Sequence, residues 1–233
     1  MNLNFNTLIP IKGDASFRKF YRYKKNKQNS IVVFSKKEKF KNLVIYELIN
    51  RILIKNKIKA PKLLSENIKK NYIIIEDLGN YTIYQKIKNN TINRKTIYKR
   101  IVELLLKIQK IRIKKIKDIN KKYYVIPKYT NKLMFQEVEL FLRWYVPKFY
   151  NGAEKKKINK LLKKNIKNLI KKIKLPNKTF VHRDFHVSNL IFNKKKISII
   201  DTQDALYGNP AYDLASLIDD VRLKTDNKMK SLI

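Results

Sequence analysis

Apolar positions along the chain follow two different periods. In residues 16–23 and 30–35 aromatic and β-branched residues cluster in short extended runs around the polar stretch 24–29, a pattern that predicts a hairpin. Phe40, Leu43, Val44, Glu47, Leu48 and Ile52 then fall near a 3.6-residue spacing, which predicts a helix ending before Ala60-Pro61. Residues 71–75 are a short β-rich run that stops at Glu76-Asp77-Leu78-Gly79. Beyond it the periodicity is mainly helical. Ile97, Ile101, Leu104, Leu105 and Ile108 make one stripe, and a second helix is expected within 133–150. A third is expected within 154–174, with Ile158, Leu161, Leu162, Ile166, Leu169, Ile170 and Ile173 on one face. Residues 179–201 return to short strands and turns. The expected organisation is α+β: a small β-rich lobe over 1–78 and a larger, mainly helical lobe over 79–233.

Composition adds less than its extremes suggest. Lys and Arg number 55 against 18 acidic residues, a net charge of +37, which invites a nucleic-acid reading. But 46 of the 55 are lysines spread along the chain, and with 33 isoleucines and 25 asparagines they make up nearly half of the 233 residues. Those three residues share A/T-rich codons. Specific nucleic-acid contacts favour arginine, which is scarce here, so no specific nucleic-acid partner is expected. The basic amphipathic stretch 154–174 is read as a surface helix, with an anionic membrane surface as the alternative. No apolar run is long enough to span a bilayer. Residues 1–14 hold no basic segment followed by an apolar core, so a cytoplasmic protein is expected. The absence of cysteine removes disulfides and thiol chemistry.

Candidate chemistry concentrates in Val181-His182-Arg183-Asp184-Phe185-His186-Val187-Ser188-Asn189, which holds both histidines of the chain. An apolar triplet, Leu190-Ile191-Phe192, follows; then Asn193 and three lysines, then Ile197-Ser198-Ile199-Ile200, then Asp201. This predicts a second hairpin. Centred on Lys195, it sets Asn189 opposite Asp201, and directly opposed residues lie about 4.5–5.5 Å apart. An amide oxygen and a carboxylate converging there suit Mg²⁺, which keeps waters and binds through few carboxylates plus substrate phosphates. Asp184, on the loop entering the hairpin, is placed to take the proton of an attacking hydroxyl. A turn-capping role would explain any one of these residues; the joint spacing favours catalysis. Near the N-terminus, Gly13-Asp14-Ala15-Ser16 is an ordinary turn by itself. In this company it also suits a loop over phosphates, since Gly13 permits close backbone approach.

His182-x-Asp184-x-x-x-x-Asn189 followed by Asp201 resembles the signature of the protein-kinase-like aminoglycoside phosphotransferase superfamily. Further blocks are similar to the bacterial anomeric N-acetylmuramate/N-acetylglucosamine kinases within it. They are the run from Gly13 to Arg22, Glu76-Asp77-Leu78-Gly79, the Glu-Leu-Phe-Leu-Arg-Trp-Tyr run at 139–145, His182-Arg183-Asp184-Phe185-His186, the eight residues from Asp201 to Gly208, and Ala211-Tyr212-Asp213-Leu214-Ala215-Ser216-Leu217. The resemblance implies a two-lobed kinase-like fold with ATP between the lobes, and an amino-sugar hydroxyl as acceptor in cell-wall recycling. It implies Asp184 as base, Asn189 and Asp201 as Mg²⁺ ligands, and Gly13, Asp14, Ala15 and Ser16 over the phosphates. Glu76 and Leu78 would meet adenine through the backbone. His182 and Asp213 would support the catalytic loop, and Arg183, His186 and Asp204 would face the acceptor. Another small-molecule kinase of the superfamily, or a non-catalytic nucleotide-binding relative, are the alternatives. Two departures stand out. The chain is short at its C-terminus for this family. And no clear counterpart exists for the phosphate-binding lysine: Ile31-Val32-Val33-Phe34 is followed by Ser35, with Lys36 and Lys37 nearby and Glu47 able to pair with one of them.

Overall fold

The computed structural model describes residues 8–11, 18–25, 28–173 and 176–233. Its N-terminal part is a five-stranded antiparallel sheet of β1 (Ile9–Ile11), β2 (Lys19–Lys25), β3 (Gln28–Phe34), β4 (Leu63–Asn67) and β5 (Tyr72–Glu76). The spatial order is β1-β2-β3-β5-β4. β2 and β3 pair in continuous register from Lys19 opposite Phe34 to Lys25 opposite Gln28. The first hairpin therefore has a shorter connection than the sequence suggested. Helix α1 (Phe40–Lys55) crosses between β3 and β4.

That helix is apolar around most of its circumference because it serves two cores. Leu43 and Tyr46 pack on Val33, Ile73 and Ile75 of the sheet. Leu48, Ile49, Ile52 and Leu53 join a larger cluster with residues of the second lobe. A helix buried on two sides loses the one-sided apolar stripe of a surface helix.

The second lobe contains α2 (Ile83–Lys88), α3 (Arg94–Gln109), α4 (Asn131–Trp144), α5 (Gly152–Lys172), α6 (Ala211–Ile218) and α7 (Asn227–Leu232). Three short ladders accompany them: β6 (Lys115–Lys117) with β7 (Tyr123–Val125), β8 (Thr179–Val181) with β11 (Leu206–Gly208), and β9 (Leu190–Asn193) with β10 (Lys196–Ile199). All five residues of the expected α3 stripe are buried. Asn93 caps that helix through the Thr96 N–H, and Thr82 closes a capping box with Gln85 on α2. The two lobes are also joined by backbone: Ile199 N–H donates to Lys59 O at 2.9 Å.

Two expectations change. The face of α5 is narrower than its apolar periodicity implied. Ile158, Leu162 and Ile166 are half-buried and Ile170 is buried, whereas Leu161, Leu169 and Ile173 stay exposed. α5 leans on α4 along a single seam of four-residue spacing, and one neighbouring helix covers only one seam. The β9–β10 hairpin is also one residue out of the expected register. Leu190 faces Ile199 and Asn193 faces Lys196, so Asn189 is aligned with Ile200, whose N–H donates to Asn189 O at 3.0 Å. The turn is the two residues Lys194 and Lys195, both at positive φ (46° and 60°). Two-residue turns of that kind match the twist of the strands and normally call for glycine or asparagine, so lysines gave no local signal for them.

Candidate active site

Residues 182–189 form the loop between β8 and β9, and its apolar members pin it. Phe185 and Val187 are fully buried, which leaves the polar side chains between them little freedom. Asp213, on the first turn of α6, holds the loop from below. Its carboxylate accepts the N–H of His182 at 2.7 Å and of Arg183 at 2.9 Å. Burial pushes the Asp213 carboxyl up, against the lowering pull of His182 and those two amides. Arg183 is in the left-handed region (φ 75°), a conformation these two hydrogen bonds sustain. His182 is buried and its Nε2 lies 3.0 Å from Ile200 O. A carbonyl only accepts, so that nitrogen carries the proton. Nδ1 is then free to accept the Asp184 N–H at 3.3 Å.

Asp184 presents a carboxylate that is 50% exposed. Oδ1 is 2.9 Å from His186 Nε2, and Oδ2 accepts from Asn189 Nδ2 at 2.8 Å. Burial raises its pKa, but His186 and Asn189 outweigh burial and hold it below the ordinary carboxylate value. The side chain is thus a fixed, ionised, half-exposed acceptor next to Asn189, which itself lines the cleft. His186 is buried beside Asp184, and its Nε2 also lies 3.3 Å from Asn189 Nδ2.

Asp201 follows β10 and has φ 62°. The left-handed turn re-aims a residue that strict strand alternation would send to the other side from Asn189's partner. Asn189 and Asp201 therefore both line the same cleft despite the shifted register. Thr202, fully buried, donates to Asn50 Oδ1 on α1 at 2.7 Å and ties this turn to the first lobe. Asp201 accepts a hydrogen bond from the guanidinium of Arg18, just ahead of β2, whose other nitrogen donates to Gln203 Oε1 at 2.6 Å.

The cleft has a volume of about 740 Å³. Its sheet side carries Phe20, Ile31 and Ile75 together with Arg18 and Arg22, and its floor carries Ser188, Asn189, Ile200 and Asp201. At its edge runs the segment between β5 and α2. Glu76 pairs with Lys59, and Arg22 clamps Asp77 through Nε (2.7 Å) and Nη2 (3.3 Å). Asp77 in turn accepts Gly79 N–H, and Asn193 donates to Leu78 O at 3.1 Å. Glu76 and Leu78 both line the cleft. Gly13, Asp14, Ala15 and Ser16 lie outside the described residues.

On the opposite side of the loop, Arg183 reaches Glu137 of α4 and Asp204 O (3.3 Å), and its guanidinium lies 5.7 Å over the ring of Tyr129. Glu137 also accepts from Tyr129 Oη. Arg18, Arg22, Asp77, Glu137, Gln203 and Asn193 were not singled out from the sequence. Only Arg18, Arg22, Asp77 and Gln203 fell inside matched motifs, and nothing local gives Asn193 or Glu137 away. Glu47 pairs with Arg51 one turn on, Lys36 and Lys37 are exposed, and among the described residues no ion pair joins either lysine to Glu47.

The oxygen chemistry fits a hard divalent cation. Asn189 spends its amide N–H₂ on Asp184, which leaves its carbonyl oxygen as the free donor atom, and Asp201 already faces a cation in Arg18.

A two-lobed α+β molecule with this loop and cleft has the protein-kinase-like architecture. The chain belongs to the phosphotransferase enzyme family, matching it over residues 7–229. Among curated proteins it is similar to the N-acetylmuramate/N-acetylglucosamine kinases of Neisseria meningitidis (26% identical over 218 residues, 92% of this chain and 62% of the relative) and Pseudomonas putida (26% over 221 residues, 92% and 60%). It spans about three fifths of the length of those relatives. Its fold is that of the aminoglycoside phosphotransferase APH(2'')-Ib with bound ADP (TM-score 0.69, 18% identity, 99% of this chain and 76% of that one). It is shared with the choline kinase LicA from Streptococcus pneumoniae (TM-score 0.61, 13%, 97% and 79%). No helix among the described residues is long and apolar enough to cross a membrane.

Proposed function

We propose that the protein transfers the terminal phosphoryl group of ATP to a hydroxyl of a small molecule, the anomeric hydroxyl of an N-acetylated amino sugar. The observation that carries this is the pair Asn189 and Asp201 at the floor of one cleft, with the Asp184 carboxylate hydrogen-bonded to Asn189 beside it. The curated relatives, named as N-acetylmuramate/N-acetylglucosamine kinases, support the choice of acceptor.

In this reading residues 1–78 supply the nucleotide wall and 79–233 the catalytic and acceptor side. Glu76 and Leu78 meet the adenine through their backbone, and residues 13–16 cover the phosphates. Asn189 and Asp201 hold Mg²⁺, which supplies charge neutralisation for the transferring phosphates. Asp184, kept ionised, accepts the proton of the attacking hydroxyl. His186 and Asn189 fix the carboxylate so that one lone pair points to the acceptor, which replaces solvent reorganisation by positioning. Asp213 and His182 keep the loop in shape, and Arg183, His186 and Asp204 face the acceptor.

The test is to incubate the purified protein with labelled ATP, Mg²⁺ and N-acetylmuramate or N-acetylglucosamine. Sugar 1-phosphate is expected, falling about 10²–10⁴-fold in Asp184→Asn with the fold intact by circular dichroism. No product above that control rejects the sugar-kinase reading. Turnover of an amino alcohol or aminoglycoside instead assigns another acceptor, and nucleotide binding without turnover assigns a non-catalytic relative.

A further inference from the structure

Phosphates need a cation, and the cations among the described residues lining the cleft are arginines rather than lysines: Arg22, held by Asp77, Arg222, held by Asp220, and Arg18. Strand alternation explains why β3 cannot offer a lysine. Ile31 and Val33 share the face that meets α1, and Val33 is fully buried there against Leu43 and Tyr46. A charge reaches this place from the neighbouring strand instead. Phe20 pairs with Val33, and Arg18 precedes Phe20 by two residues, so it leaves the sheet on the same face. Its guanidinium is 5.6 Å from the ring centres of both Phe20 and Tyr46, and the residue is only 8% exposed.

We propose that Arg18 is the phosphate anchor of this chain, occupying Asp201 until a metal–nucleotide arrives and then turning its fork to the phosphate oxygens. The proposal rests on the kinase reading above. A guanidinium this buried needs an anion, and at present Asp201 provides it. When a divalent cation takes the Asp201 carboxylate, that pairing is weakened by charge competition. The nearest new anion is the phosphate chain brought by the same cation. Gln203 keeps accepting from the other nitrogen, so the side chain pivots without leaving the cleft wall. The planar fork suits two phosphate oxygens at once, and the two neighbouring aromatic rings favour the cation.

The experiment is isothermal titration of the purified chain with adenosine and with ADP plus Mg²⁺, comparing wild type, Arg18→Met and Arg18→Lys. The expected result is at least a 10-fold loss of Mg·ADP affinity in R18M with adenosine affinity within twofold of wild type. R18K should recover part of that loss. Mg·ADP affinity within twofold of wild type in R18M overturns the assignment, and so does an equal loss for both ligands, which marks Arg18 as packing only. Should R18M not fold, R18K is read by the same ratio, with at least a threefold selective loss expected and none refuting. A wild type that binds neither ligand sinks the nucleotide reading itself, which is distinguishable from a wild type that binds with an indifferent Arg18.

Discussion

Asp213 offers the sharpest test of how the catalytic loop is held. It is fully buried, and its two carboxylate oxygens each take one backbone N–H, of His182 and Arg183. Asp213→Ala leaves two amides without partners in a place water does not reach. Each such orphan costs about 1–3 kcal/mol, so the gross loss is about 2–6 kcal/mol. The carboxylate's own desolvation, which pushes its pKa up, is relieved in the variant and returns part of that. A net destabilisation of about 2–4 kcal/mol is expected, a large share of the roughly 5–15 kcal/mol of a typical domain. Urea unfolding followed by far-ultraviolet circular dichroism measures it; the single tryptophan, Trp144, is exposed and a poor reporter. Asp213→Asn keeps one acceptor oxygen and should lose less. A D213A protein within about 0.5 kcal/mol of wild type would show that the loop is held by Phe185 and Val187 alone, and the bracing argument would be wrong.

Two further predictions concern the first lobe and its edge. Burial pushes the Glu47 carboxyl up more strongly than Arg51 lowers it, so its folded pKa lies above its unfolded one. Its stability contribution is then greatest below about pH 4 and declines as pH rises through the carboxylate range. Urea unfolding at about pH 4 and pH 7 should show Glu47→Gln gaining on wild type at the higher pH, and the opposite sign refutes it. At Gly79, φ is 115° and an added Cβ would stand 2.9 Å from Asn193 Nδ2, the atom that donates to Leu78 O. Gly79→Ala should cost about 1–3 kcal/mol, a fall in Tm of about 2–10 °C, together with weaker Mg·ADP binding; an unchanged Tm contradicts the close approach.

Local features of the sequence were enough for α1, α3, α4 and α5, for the loop and, through its motifs, for the class of molecule, but not for the short helices α2 and α7. The 3.6-residue stripe of α3 lies on the core face because its neighbours along the chain decide that face. The loop from His182 to Asn189 and the hairpin after it are contiguous, so their proximity needs no knowledge of the rest of the fold. What tertiary structure alone decided are the pairings across long separations. Arg18 meets Asp201 from 183 residues away, Thr202 meets Asn50 from 152, and Asn193 meets Leu78 from 115. The shifted hairpin register also belongs there. The lysines at 194 and 195 carry no turn preference, and the register follows from which strand face is buried. Pattern and spacing encode which residues share a face; only the path of the whole chain decides which faces meet, and in this protein that decision brings an arginine to the cleft that the inner face of β3 leaves without a charge.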